Sequence, residues 1–164
     1  MNWQLILICS AITVGTFLFW ELVAWFTHKF IMHGFLWSWH RSHHTVHEHT
    51  LEKNDLFGVV FSIPSIAMFY YFSLVSYNPY MLAVAFGIFL YGLFYLIFHD
   101  IIVHQRIRWL PKNKSRYLQR MINAHYVHHS RHAKEGCEAF GFLIARRKYD
   151  TKEFVHRKAP TETQ

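Results

Sequence analysis

Charge is missing from much of this 164-residue chain: no lysine or arginine precedes Lys29, and no charged residue of either sign lies between Leu56 and Phe98. Buried helices of a soluble core are the competing reading of such stretches, but their lengths suit a bilayer, which takes about 20 helical residues to cross. The uncharged second and third runs also speak against a transporter, which needs ionisable groups at mid-membrane. Cysteine is nearly absent, with Cys9 and Cys137 alone. One falls in the first apolar run and the other in a distant basic segment, so they are read as free thiols in a reducing compartment. The start of the chain lacks a basic leader region and a small-residue cleavage site, so its apolar run is read as a retained anchor.

What is abundant is apolar and aromatic. Hydrophobic residues make up 52% of the chain, with sixteen Phe, nine Tyr and six Trp. They gather into three runs, at about 3–26, 56–77 and 80–98, the last two divided by the turn-like pair Asn78-Pro79. Pro64 falls inside the second run, where a spanning helix tolerates a kink. The expected fold is an all-α integral membrane protein of one domain over 1–164, with three to four spans and a histidine-rich helical cap. All seventeen Lys and Arg lie from Lys29 to Lys53 or from Arg106 to Lys158, so the positive-inside rule turns both segments toward the cytoplasm. The pI near 9.5 suits contact with anionic lipid headgroups. Nucleic acid is the competing partner, disfavoured because the basic residues interleave with histidines and apolar runs.

Twelve of the fourteen histidines follow one pattern twice. His28 and His33 precede His40, His43, His44 and His47; His99 and His104 precede His125, His128, His129 and His132. Helical positions three and four apart share a face, so His40, His43 and His44 form one preformed ligand set, and His125, His128 and His129 another. The HxxxxH pairs fit an α-helix poorly, since five residues turn the second ring roughly 140° from the first. A helix end, a π-bulge or two separate metals could reconcile them, and Gly34 directly after His33 is a candidate terminator. With three spans, every member of the pattern reaches the same membrane surface.

Imidazole alone does not name a metal. Ten to twelve histidines are nonetheless too many for one ion, since a zinc takes about four ligands. Ten shared between two ions give five each, and leave one octahedral position apiece for a bridging water or oxygen species. His47 and His132 are then read as supporting residues, and His49 and His156 as surface residues. Two divalent ions with neutral ligands carry four positive charges, costly near a bilayer. Asp100, Glu48 and Glu138 are the candidate carboxylates to accept the distal N–H of ligand imidazoles. Glu21, two turns before His28, is a bare carboxylate in a span; it is either functional or paired with Lys29.

Two interfacial helices are expected, at about 35–50 and 115–132. In the second, Leu118, Met121 and Ile122 lead into the histidines at helical steps. Its charged face adds Arg116, Arg120 and Arg131 to Arg106, Arg108, Lys112 and Lys114, a surface that could meet lipid or dock an acidic electron donor. Trp37 and Trp39 suit a headgroup-level belt. The Cys137 to Ala145 run is too short to span and should fold back under the histidines, and the tail from Arg146 is polar and basic.

HKFIMH, HRSHH, HDIIVH, HYVHH and the following EGCEAFGFL resemble the motifs of bacterial β-carotene hydroxylases, within the membrane fatty acid hydroxylase superfamily. The resemblance covers nearly the whole chain. It implies a multi-pass protein of a bacterial inner (cytoplasmic) membrane with its histidines on the cytoplasmic side. It also implies a non-haem di-iron centre (two Fe2+), O2 as cosubstrate and a ferredoxin-type electron donor. The implied metal ligands are His28, His33, His40, His43, His44, His99, His104, His125, His128 and His129. The implied reaction is 3-hydroxylation of the β-ionone rings of β-carotene, through β-cryptoxanthin to zeaxanthin, in which the unactivated ring C–H demands O2 activated at a metal. Alternatives are the same machinery acting as hydroxylase, ketolase or desaturase on another carotenoid, sterol or fatty acyl lipid, and a non-enzymatic metal-binding or transport protein.

Overall fold

A computed structural model describes residues 2–45, 51–106 and 115–150, and among them no strand occurs. Helix α1 (Trp3–Phe26) continues into a π-helical segment, Thr27–Phe35. The short α2 (Trp37–His40) runs into a 3₁₀ turn, Arg41–His44. Helix α3 (Asp55–Tyr70) ends in a π segment, Tyr71–Val75, and α4 (Pro79–Tyr95) in another, Leu96–Val103. Helix α5 (Arg116–His129) is followed by irregular chain and a 3₁₀ turn, Arg147–Tyr149.

Three of these helices are long and apolar enough to cross a membrane: Trp3–Phe35, Asp55–Val75 and Pro79–Val103. They are the three runs read from sequence, the first and third lengthened by the π turns that carry the histidine pairs. Their starts follow from capping. The side chain of Asn2 accepts from Gln4 N and Leu5 N, and that of Asn78 from Tyr80 N and Met81 N, with Pro79 in the first turn where its missing N–H costs nothing.

Helices α1 and α4 run parallel in a constant register. Cys9 Sγ meets Pro79 O at 3.6 Å, Thr13 Oγ1 donates to Ala83 O at 3.1 Å, and Tyr91 Oη donates to Glu21 Oε2 at 2.6 Å, each pair 70 residues apart. Close approach is possible because position 87 is glycine: a Cβ there would lie 2.6 Å from Thr16 Cβ and 2.7 Å from Thr13 O. Helix α3 returns antiparallel through the turn at 76–78 and packs on α4, with Ser65 Oγ donating to Ala85 O at 3.0 Å. A third of the most apolar window of α4 is therefore buried, against 6% for the other two spans. Leu7, Val14, Leu22, Val59, Ile63 and Ile66 stay exposed, as side chains solvated by hydrocarbon should.

The parallel pair brings the ends of α1 and α4 together, and α5 caps them. Met121 joins Phe98, Val103 and Phe142 in a buried cluster, with Leu118 and Ile122 against it, so the apolar stripe of α5 packs where expected. Two boundaries differ from the sequence reading. Helix α5 stops at His129, which leaves His132 outside it. The helix expected over 35–50 is only α2 and its 3₁₀ turn, since Thr45 is already extended; His47, Glu48 and His49 lie outside the described residues. The 137–145 run folds back toward the histidines, placing Phe140 against His28, His33 and His128, and Phe142 against His28, His99 and His125.

Candidate metal centre

Ten histidines converge at the shared end of α1 and α4, in two groups of five. One holds His28, His33, His40, His44 and His128; the other holds His43, His99, His104, His125 and His129. Within each group the candidate ligand nitrogens lie within 4.8 Å of one another. The preformed triplets expected from helical spacing are divided. His40 and His44 stay together, one turn apart, while His43 projects to the other group; likewise His125 and His129 stay together and His128 crosses over. The middle histidine of each HxxHH is thus exchanged between halves; in α5 this follows because the residue at i+3 is rotated away from the pair at i and i+4.

The HxxxxH pairs are reconciled by π-helix. In that geometry the backbone bonds run from i to i+5, and His104 N donates to His99 O at 2.9 Å, directly across the pair. His28 and His33 lie in the equivalent segment after α1, and Gly34 then leaves helical geometry (φ −99°, ψ −121°). Each pair serves a single group, so separate metals are not the explanation.

Hydrogen bonding fixes the tautomers, because a carbonyl oxygen can only accept. In the first group Nδ1 donates to Phe140 O from His28, to Lys134 O from His33, to Arg131 O from His44 and to Glu138 O from His128, all at 2.9–3.0 Å. His40 Nδ1 donates to Asn54 Oδ1 at 2.7 Å. All five Nε2 atoms are then bare acceptors, yet His28 and His40, His40 and His44, and His33 and His128 bring them within 3.1 Å. Lone pairs converging in this way repel unless a cation lies among them. In the second group His43 Nδ1 donates to Glu52 (3.2 Å) and His99 Nδ1 to Asp100 (2.7 Å), leaving their Nε2 atoms bare and 2.8 Å apart. His104 and His125 place their Nε2 atoms 3.0 Å apart, and the buried Nε2 of His129 has no hydrogen-bond partner. This donor set fits two metal ions.

Burial disfavours a charged imidazole, and the neutral ring is the form a metal needs. Burial is the largest cause in lowering His44 to about 4, His40 to about 3, and His104 and His128 to about 2. Neighbouring imidazoles add to the effect, since a second positive ring nearby would be repelled. His43, His125 and His129 are likewise held well below the usual imidazole range.

Several supporting residues differ from expectation. Asp100 does accept from a histidine, but Glu138 orients His128 through its backbone carbonyl while its carboxylate pairs with Lys148. His132 donates from Nδ1 to His44 O and is absent from both groups. Glu21 is buried and pairs with Tyr91 Oη, Phe142 N (2.8 Å) and Leu143 N (2.9 Å), not with Lys29, which lies over Trp25 and Phe30. It thereby holds the segment whose Phe140 carbonyl orients His28. Arg106 and Arg120 do not belong to an open basic face: the first bonds Glu52 and Asp55 at 2.8 Å each, the second Asp150. Arg108, Lys112 and Lys114 lie outside the described residues. Glu52 and Asn54 escaped the sequence reading because they precede α3 as ordinary polar loop residues, nine and fourteen positions beyond the histidines they support.

Residues 13–146 match the family model described as fatty acid hydroxylase. The chain belongs to the fatty acid hydroxylase family. This hydroxylase is 44% identical over 138 residues to a beta-carotene hydroxylase of Paracoccus sp. (strain PC1), with 82% of each chain covered. It is 38% identical over 155 residues to a beta-carotene hydroxylase of Pseudescherichia vulneris, covering 93% of this chain and 85% of the relative. A plant relative, the chloroplastic beta-carotene 3-hydroxylase 2 of Arabidopsis thaliana, is 33% identical over 122 residues, 40% of its length. No solved structure gives a significant match. The ten-histidine end of the hydroxylase is therefore where its chemistry is to be sought.

Proposed function

We propose that this protein is a di-iron hydroxylase that uses O2 to place a hydroxyl group on carbon 3 of the β-ionone rings of β-carotene, giving β-cryptoxanthin and then zeaxanthin. The observation that carries the reading is the pair of five-imidazole groups whose bare nitrogens face one another. The substrate follows from what the relatives are named for and from their coverage of most of the chain. The chemistry supplied by two iron ions is the splitting of O2: one oxygen atom enters the ring C–H bond, and the other leaves as water with two electrons and two protons.

His28, His33, His40, His44 and His128 would hold one ion, and His43, His99, His104, His125 and His129 the other. Carbonyls of the 131–140 segment, with Asn54, Glu52 and Asp100, keep the rings aimed by accepting their distal N–H groups. Phe140 and Phe142, against the rings, limit the access of water. The polyene would enter from the bilayer, and a ferredoxin-type donor would supply electrons. In a bacterial inner membrane, the histidine end would face the cytoplasm, where the basic residues concentrate.

Expression in cells that accumulate β-carotene, with chromatography of the pigments, tests the reading. Hydroxylated products are expected, and they should vanish with His43→Ala or His128→Ala. Unchanged β-carotene in aerobic, iron-replete cells that contain the protein would overturn it.

A further inference from the structure

The two histidine groups have matching ligand counts but different surroundings. All five rings of the first group give their distal N–H to neutral oxygens: four backbone carbonyls and the Asn54 amide. In the second group two rings give theirs to carboxylates, His43 to Glu52 and His99 to Asp100. Asp55 stands beside them, and the Arg106 guanidinium reaches all three acids, at 2.8 Å from Glu52 and Asp55 and 4.0 Å from Asp100. Two rings of this group thus meet a carboxylate where those of the first group meet only neutral dipoles.

A carboxylate that accepts from Nδ1 draws the proton toward itself and pushes electron density onto Nε2, which makes the imidazole a stronger donor. A neutral carbonyl does so less. The negative charge also lowers the cost of placing a cation near the membrane surface. Glu52 carries the effect furthest: its side chain is almost wholly buried (7% exposed), so water screens it little, and Arg106 ties it in place.

Resting on the two-metal reading above, we infer that the groups are inequivalent, and that His43, His99, His104, His125 and His129 take their metal ion first and hold it more tightly. Glu52 and Asp100 are the positioning residues that set this order, acting on the metal through His43 and His99.

Titration of the metal-stripped, full-length protein in detergent with Co2+, followed by its visible absorption, tests the order directly. Two separated steps are expected, the tighter lost in His99→Ala and the weaker in His33→Ala. Glu52→Gln and Asp100→Asn should each weaken the tighter step about 10–100-fold and leave the weaker one in place. Asn54→Asp, which supplies a carboxylate to His40 in the first group, should tighten the weaker step and narrow the gap. This variant keeps the test open if Glu52→Gln fails to fold. Two ions bound with equal affinity, or a first step removed by His33→Ala, would overturn the inequivalence while leaving a two-metal centre. Binding of fewer than two ions would overturn the two-metal centre itself.

Discussion

His43 and His128 decide which side chains act together. Each sits in the middle of an HxxHH motif, and each joins the group built mainly by the other half of the chain. A double variant therefore behaves by group, not by motif. His43→Ala with His99→Ala should cost about one metal ion of two by elemental analysis, whereas His43→Ala with His40→Ala, three residues apart, should impair both. The opposite ranking would show that the motifs bind as sequence neighbours. The neutral rings also set a pH dependence. An unfolded chain takes up protons on histidine near pH 6.5, whereas folded His44 and His40 resist until about 4 and about 3. The unfolded state then binds more protons, so stability of the metal-free protein is full above about pH 6.5 and is lost progressively as pH falls toward those values. Thermal unfolding in detergent should show its midpoint falling from about pH 7.5 to about pH 5, and a flat profile would contradict the neutral, buried setting of the rings. The repeated spacing marked twelve histidines, and ligand counting reduced them to the ten that converge, but neither gave their division. That division depends on how α1, α4 and α5 rotate against one another, and backbone carbonyls such as Phe140 O carry no residue identity to read.

At the scale of elements, the π segments and the α1–α4 contact do the positioning. The apolar runs and the Asn78-Pro79 turn made three spans legible, and the poor fit of HxxxxH to an α-helix already required a local departure. Which departure it was rests on the hydrogen bond of His104 N to His99 O, a backbone choice that side-chain pattern does not encode. The parallel register of α1 on α4 was hidden as well, since lipid-facing and helix-facing positions are equally apolar in these runs. Gly87 is its most sensitive point. Gly87→Val should force the helices apart and destabilise the protein by about 1–3 kcal/mol, read as a lower unfolding midpoint, while valine at Gly92, which has nothing within 4 Å of its added Cβ, should change little. Glu21 ties the same two helices to the segment under the histidines. Glu21→Ala leaves Tyr91 Oη and two backbone N–H groups without an acceptor, at about 1–3 kcal/mol for each that stays dry. Limited proteolysis should then cut first within 136–146.

For the whole molecule, an odd number of spans separates the 76–78 turn from the histidine end. In a chain freed of Cys9 and Cys137, Ser76→Cys should react with a membrane-impermeant maleimide added to intact cells with the outer membrane opened, and Asp150→Cys only after the inner membrane is breached. Labelling of both from one side would refute the three-span path. The three apolar runs were legible from length and composition, and the return of 137–145 from its being too short to span; which carbonyls of 131–140 meet which rings was not, because irregular chain leaves no periodic signature. The exchange of His43 and His128 has a consequence in time. A ribosome delivers the chain from its first residue onward, and the first group waits for His128 and for carbonyls as late as Phe140, while the second waits for His129. Neither set can be completed while the emerging protein is only half made. The two full ligand sets thus come together only late in synthesis, and a chain that stops before His128 leaves each group one histidine short.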